Sequence, residues 1–192
     1  MEKVKHSFLK RILFTILSLF LVFQSIHLTK ALWKEEELSS VECFIWSFLL
    51  NLFVTGVFAF LSFAFPISKL FNPTFYSNVS ASRIVGLYSF FGVKYFKKLL
   101  MFFYWGRKKQ RKEFFSGGKK GIDALDFKSK QAEIGHFLPF MVLLVLSVVI
   151  FIQGKVLLSA LILAINLLGN FYPVLMQRKL RLRLQVFQNI KK

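Results

Sequence analysis

Only one cysteine, Cys43, stands among the 192 residues. An internal disulfide is therefore excluded, and no Cys-rich spacing exists to hold a metal. The thiol is expected as a buried or interfacial bystander. Acidic residues are scarce as well: 9 Asp and Glu face 27 Lys and Arg, for a formal net charge of +18. No Gly-rich cofactor loop occurs, so nothing supports a cofactor-dependent transferase such as a methyltransferase. No internal repeat is evident, and the length suits one compact unit over 1–192. The first apolar run has no small-residue cleavage site behind it. Gln24 and His27 come instead, so it reads as a retained helix and not as a signal peptide.

What the chain has in abundance is apolar surface. It is 55% hydrophobic with 26 Phe, and its mean hydropathy of +0.55 is too high for an ordinary soluble domain. About 20 apolar residues at 1.5 Å each cross a bilayer core. Four runs meet that demand, at 8–28, 44–66, 137–153 and 156–176. The expected fold is an all-α integral membrane protein with four transmembrane helices. Between the second and third lies a basic–aromatic segment, 68–136, of interfacial character. In it, "LLMFFYW" (99–105) is too short to span, the basic run at 107–112 reads as solvated, and "SGGKKGIDALD" reads as a flexible polar loop.

The surplus of cations would suggest nucleic acid in a soluble protein. In so apolar a chain it points to anionic lipid headgroups and to orientation, and nucleic acid is not an expected partner. The N-terminus, the 68–136 segment and the tail are all basic, whereas the 30–42 loop is net acidic. Positive loops stay inside, so both termini are expected in the cytoplasm, with the chain multi-pass in the membrane.

Polar residues then gather at one depth. A tight turn near Gly154 makes the third and fourth runs antiparallel neighbours. Counting outward from it sets His136 level with about Tyr172, and Glu133 with about Leu175. Glu133 and His136 are three apart and share a helical face. Asn166, Asn170, Pro173 and Gln177 form one stripe, and Asn51, Thr55 and Ser62 a weaker one. Polar side chains in lipid are costly unless they face a partner, so both stripes are expected to point inward. A histidine near neutral pKa can take a proton from an attacking hydroxyl, and a nearby carboxylate can orient it. Amides can hold a developing oxyanion and arginines can grip phosphates. The plainer alternative is that Glu and His are solvated helix ends, that the amides only bind helices together, and that the arginines are anchors.

These residues carry a resemblance. "AEIGHFLPF", a hydrophobic hairpin, and "NFYPVLMQRKLRLR" resemble the glycosyl-4,4'-diaponeurosporenoate acyltransferase family, small bacterial membrane proteins of carotenoid synthesis. The likeness is strongest over the C-terminal third; "GVKYFKKLLMFFYWGRKK" (92–109) matches more loosely. The matching positions are Glu133, His136, Asn170, Tyr172, Pro173, Gln177, Arg178, Arg181 and Arg183. The resemblance implies a membrane-bound acyltransferase acting on a hydroxyl of a lipid-like or glycosylated, carotenoid-type acceptor. On chemical grounds His136 and Glu133 are the expected catalytic pair. Asn170, Tyr172, Gln177, Arg178, Arg181 and Arg183 are the expected substrate-binding residues. No cofactor and no metal are expected; an acyl thioester serves as co-substrate. Membrane lipids and a lipid-soluble acceptor are the expected partners. The alternative is a non-catalytic membrane subunit docked to a larger protein assembly.

Overall fold

The computed structural model describes residues 2–35, 37–77, 80–102 and 118–190, and every described element is helical or a turn. The basic run at 107–112 and the latter part of the 99–105 run lie outside the described residues. In chain order the helices are α1 (Glu2–Lys34), α2 (Ser40–Ala64), α3 (Pro73–Ser77), α4 (Ala81–Phe90), α5 (Val93–Leu100), α6 (Gly118–Ile152), α7 (Val156–Asn166) and α8 (Tyr172–Ile190). Four helical stretches are long and apolar enough to cross a membrane: Phe8–Lys34, Ser40–Ala64, Gly121–Ile152 and Val156–Gln185. This is a membrane protein of the all-α class.

Internal contacts divide the chain into two compact units. One is Met1–Ile67 with Ile134–Phe171; the other is Ser68–Glu133 with Tyr172–Lys192. In the first, α2 starts at a capping box. Ser39 Oγ accepts from the Glu42 N–H at 3.3 Å, and the Glu42 carboxylate accepts from the Ser39 N–H at 2.9 Å. The sequence pattern Ser-x-x-Glu supplies both partners. Leu32, Cys43, Leu50, Val54, Leu143, Ile150, Leu158 and Ile162 make the core. Cys43 is buried there as a small apolar side chain.

Lipid is as apolar as this core, so close backbone approach and hydrogen bonds must bind the helices together. Serines supply both. Ser18 Oγ donates to the Val57 carbonyl at 3.1 Å, Ser47 Oγ to Leu158 at 3.3 Å, and Ser159 Oγ to Ser147 at 2.7 Å. Asn51 Nδ2 donates to the Ile162 carbonyl at 3.2 Å, which puts the Asn51–Thr55–Ser62 stripe inward. Phe8, Leu13, Phe20 and Phe23 on α1 remain exposed, as lipid-facing side chains must. At the α6–α7 turn Gly154 takes φ +81, a left-handed conformation that other residues resist. Next to it, Lys155 Nζ donates to the carbonyls of Leu32 and Glu35, satisfying acceptors at the end of α1.

Gly135 marks a closer contact. A Cβ there would lie 2.9 Å from Ser62 Oγ. We expect Gly135→Ala to cost about 1–3 kcal/mol through overpacking, partly offset by the better helix propensity of alanine. Ser62→Ala should restore part of the loss. Unfolding in micelles of the two single variants and the double gives the coupling directly. A strictly additive cycle would show that position 135 and the Ser62 side chain do not meet there.

The second unit holds α3, α4, α5, α8 and the beginning of α6. α4 and α5 are too short to span and expose Phe90, Tyr95 and Leu99 beside Lys94, Lys97 and Lys98, consistent with an interfacial segment. Gly92 makes the turn between them with φ +62. Tyr172 Oη donates to the Phe91 carbonyl at 2.8 Å and its ring meets Phe96 edge-on at 5.2 Å, fixing that turn against α8.

Two expectations change here. The stretch expected as a flexible loop is helical from Gly118, in a single helix continuing to Ile152. Ile122, Ser129 and Glu133 are buried at helical spacing, and Asp126 pairs with Lys130 at 2.6 Å one turn on. Tertiary burial thus outweighs two early glycines. The fourth run, expected to end at 176, extends as helix to Ile190, because Val174, Leu175, Arg181 and Leu184 are buried on one side.

Candidate functional site

Two polar centres stand out, one in each unit. In the first, a five-residue π-helical turn, Leu167–Phe171, separates α7 from α8. Such a turn arises where the i→i−4 ladder is interrupted. Pro173 has no N–H to return to residue 169, which accounts for the interruption. The turn brings Asn170 inward, 1% exposed.

A relay of amides starts there. Asn166 Nδ2 donates to the Phe140 carbonyl at 3.0 Å. That fixes Asn166 Oδ1 as an acceptor, and it receives Asn170 Nδ2 at 3.0 Å. Asn170 Oδ1 must therefore be the atom facing His136 Nδ1, at 3.2 Å. A carbonyl oxygen only accepts, so Nδ1 carries the proton and Nε2 is left with the lone pair. Thr55 closes the relay from α2: its hydroxyl accepts from Asn170 Nδ2 at 2.9 Å and lies 3.2 Å from Asn170 Oδ1. The Gly169 backbone is also a polar neighbour of the ring.

The second centre is ionic. Glu133 is fully buried. Arg178 Nε donates to Glu133 Oε1 at 2.6 Å, and Arg181 Nη2 donates to Oε2. Arg181 Nη1 reaches Ser129 Oγ at 3.4 Å, and that hydroxyl donates to the Gln177 carbonyl at 3.2 Å. The two guanidinium groups rest on consecutive rings of α3. Arg178 lies 5.4 Å from the Phe75 centroid and Arg181 5.3 Å from that of Tyr76. Burial, together with the Glu133 charge, pushes the Tyr76 hydroxyl up to about 12. It stays protonated and donates to the Ser68 carbonyl at 2.7 Å.

The expected site residues thus fall into groups. His136 and Asn170 meet in the first unit; Glu133, Arg178 and Arg181 meet in the second. Glu133 had been expected to orient His136, but both its oxygens are taken by arginines and the imidazole has the Asn170 amide. Asn170 had been expected to polarise an acyl carbonyl, yet both its N–H groups are committed to Thr55 and Asn166. Gln177 enters through its backbone, Tyr172 holds the α4–α5 turn, and Arg183 is exposed. Sequence reasoning missed Ser129 and Tyr76. Ser129, four residues before Glu133, was detectable as the same helical face; nothing local marks Tyr76. Among the described residues no group of three or more His, Cys, Asp and Glu is arranged to hold a metal.

Removing the Thr55 hydroxyl tests the relay. Thr55→Val should lower stability only mildly, since interhelical hydrogen bonds in membranes average about 0.6 kcal/mol. Any activity that depends on His136 should fall further than stability, because Asn170 loses a partner that holds it under His136. Unfolding and turnover measured on the same micelle preparation separate the two, and an unaffected turnover would make the Thr55 contact incidental.

No curated protein and no solved structure matched the chain. Residues 72–189 match the family described as glycosyl-4,4'-diaponeurosporenoate acyltransferase, CrtO. The match reaches well upstream of the C-terminal third and takes in α3 to α5 as well as both motifs. It covers more than half of the chain, which therefore belongs to the glycosyl-4,4'-diaponeurosporenoate acyltransferase family.

Proposed function

We propose that the protein moves a fatty acyl group from a thioester onto a hydroxyl of a lipid-like or glycosylated, carotenoid-type acceptor within the membrane. One observation carries the reading: His136 Nδ1 is held by an amide relay that leaves Nε2 as the proton-accepting nitrogen. In this mechanism Nε2 takes the proton of the acceptor hydroxyl as its oxygen attacks the thioester carbonyl. The C–O bond forms, the tetrahedral intermediate expels the thiolate as the C–S bond breaks, and the proton passes from the imidazolium to that thiolate. Asn170, Asn166 and Thr55 are positioning residues that hold the tautomer.

Glu133 positions Arg178 and Arg181, and these, with Arg183, bind the phosphates of the donor. Gln177 and Tyr172 belong with substrate binding by their place in the family motif. No cofactor is required by this chemistry.

The test is direct. Purified protein in liposomes is given palmitoyl coenzyme A and a glycosylated carotenoid, and the ester is sought by mass spectrometry. A deletion strain is profiled for lipids and pigments beside it. An ester formed in vitro and lost in the deletion strain supports the reading. Unchanged profiles, together with a stoichiometric protein partner in mild detergent, would replace it with the anchoring-subunit reading.

The proposed location is the inner membrane of a bacterium, both termini cytoplasmic, on the Lys/Arg asymmetry. In a Cys43→Ser background, an impermeant maleimide applied to whole cells should label Lys34→Cys and spare Asp123→Cys. The reverse pattern would invert the topology.

A further inference from the structure

In the second unit, Arg178 and Arg181 line a recess of about 180 Å³ together with Tyr76, Ala81, Ile84, Leu182 and Gln185. We propose that this recess is a binding site for a single phosphate or phosphoester head group. The proposal deepens the assignment of these arginines to a phosphate-bearing donor, and it stands on three features of the recess itself.

The first is charge. Two guanidinium groups share one carboxylate, that of Glu133, which leaves one positive charge uncompensated. Arg181 is only 3% exposed and Glu133 is fully buried, so water screens that excess poorly. An anion in the recess supplies what the protein withholds. Among the described residues no acidic side chain lines it, so a cation finds no partner in that lining.

The second is unused donors. Arg178 bonds Glu133 through Nε, and its terminal nitrogens have no hydrogen-bond partner among the described residues. Arg181 Nε is buried and has no hydrogen-bond partner among the described residues. Leaving such a donor unmet is costly. A tetrahedral oxyanion can accept from several of these nitrogens at once, and Phe75 and Tyr76 hold the guanidinium planes that would present them.

The third is size. Clefts that hold drug-sized ligands begin at roughly 300 Å³. This recess lies below that, enough for a phosphate with the first atoms of its ester, and the rest of a larger donor would lie outside it.

The head group has two candidate sources, a membrane phospholipid and a soluble phosphoester, and the experiment separates them. The full chain in neutral detergent is titrated with inorganic phosphate and followed by calorimetry. In the second arm, nanodiscs of phosphatidylcholine with and without phosphatidylglycerol are compared by ³¹P exchange broadening. Ala81→Leu fills the recess, and Gln185→Glu sets a like charge at its wall; neither removes a partner of Glu133. Lys94→Gln, a surface charge on α5, is the control.

Both recess variants should weaken binding by about tenfold or more while the control stays near wild type. An effect in the phosphate arm identifies a soluble phosphoester; an effect confined to phosphatidylglycerol identifies a lipid head group. Equal binding by all four proteins, or none in either arm, overturns the site. Acyl transfer is measured alongside. Turnover without recess binding sinks this proposal and the donor role of these arginines but leaves the His136 mechanism standing, and recess binding without turnover sinks only the acyltransferase mechanism.

Discussion

His136→Asn should lower acyl transfer by about 10²–10⁴-fold, the usual worth of a general base. Asparagine is chosen because its amide N–H stands near the place of Nδ1. It can keep the 3.2 Å contact to Asn170 Oδ1 while the Nε2 lone pair is gone. The relay through Asn170, Asn166 and the Phe140 carbonyl then survives, and unfolding in micelles should be close to that of the parent. The loss should lie in kcat with KM little changed, because the proton moves only in the transition state. His136→Gln sets its amide near the Nε2 position instead, and as a non-basic group it should be equally inactive. Full turnover by the Asn variant would remove His136 from the chemistry.

Glu133→Gln carries the largest expected effect on stability, a loss of about 3–5 kcal/mol. The amide keeps the shape of the side chain but not its charge. Two guanidinium groups, one of them 3% exposed, are then left beside a neutral group. The cost comes from the unpaired cations and not from any large gain in the native pair. Combining Glu133→Gln with Arg181→Met should therefore recover much of the loss, since an apolar side chain needs no counterion. Unfolding of the parent, both single variants and the double completes the cycle. A Gln variant as stable as the parent would mean that solvent or lipid already satisfies the arginines.

The sequence by itself determined the membrane architecture. Four apolar runs of sufficient length are a local property, and lipid leaves their backbones no alternative to the helix. It determined as well which polar residues must turn inward, because Asn51, Thr55, Asn166 and Asn170 sit at helical spacing within otherwise apolar runs. The hairpin count brought His136 near the 170–172 stretch.

Only the tertiary structure decided who pairs with whom. Counting residues from Gly154 sets His136 opposite Tyr172, but the π-helical turn at Leu167–Phe171 shifts the register and presents Asn170 instead. Equal counting sets Glu133 opposite Leu175, yet its partners are Arg178 and Arg181, whose long side chains reach back a turn or more. Spacing alone made Glu133 the natural orienter of His136, since three residues separate them on one helix. A charge-assisted bond to two guanidinium groups competes for the same carboxylate and is stronger than a bond to a neutral imidazole. Local sequence records propensity and periodicity. Which of several polar groups within reach takes a given donor is settled by side-chain length, by the bulge in the backbone, and by the need to leave no buried charge alone.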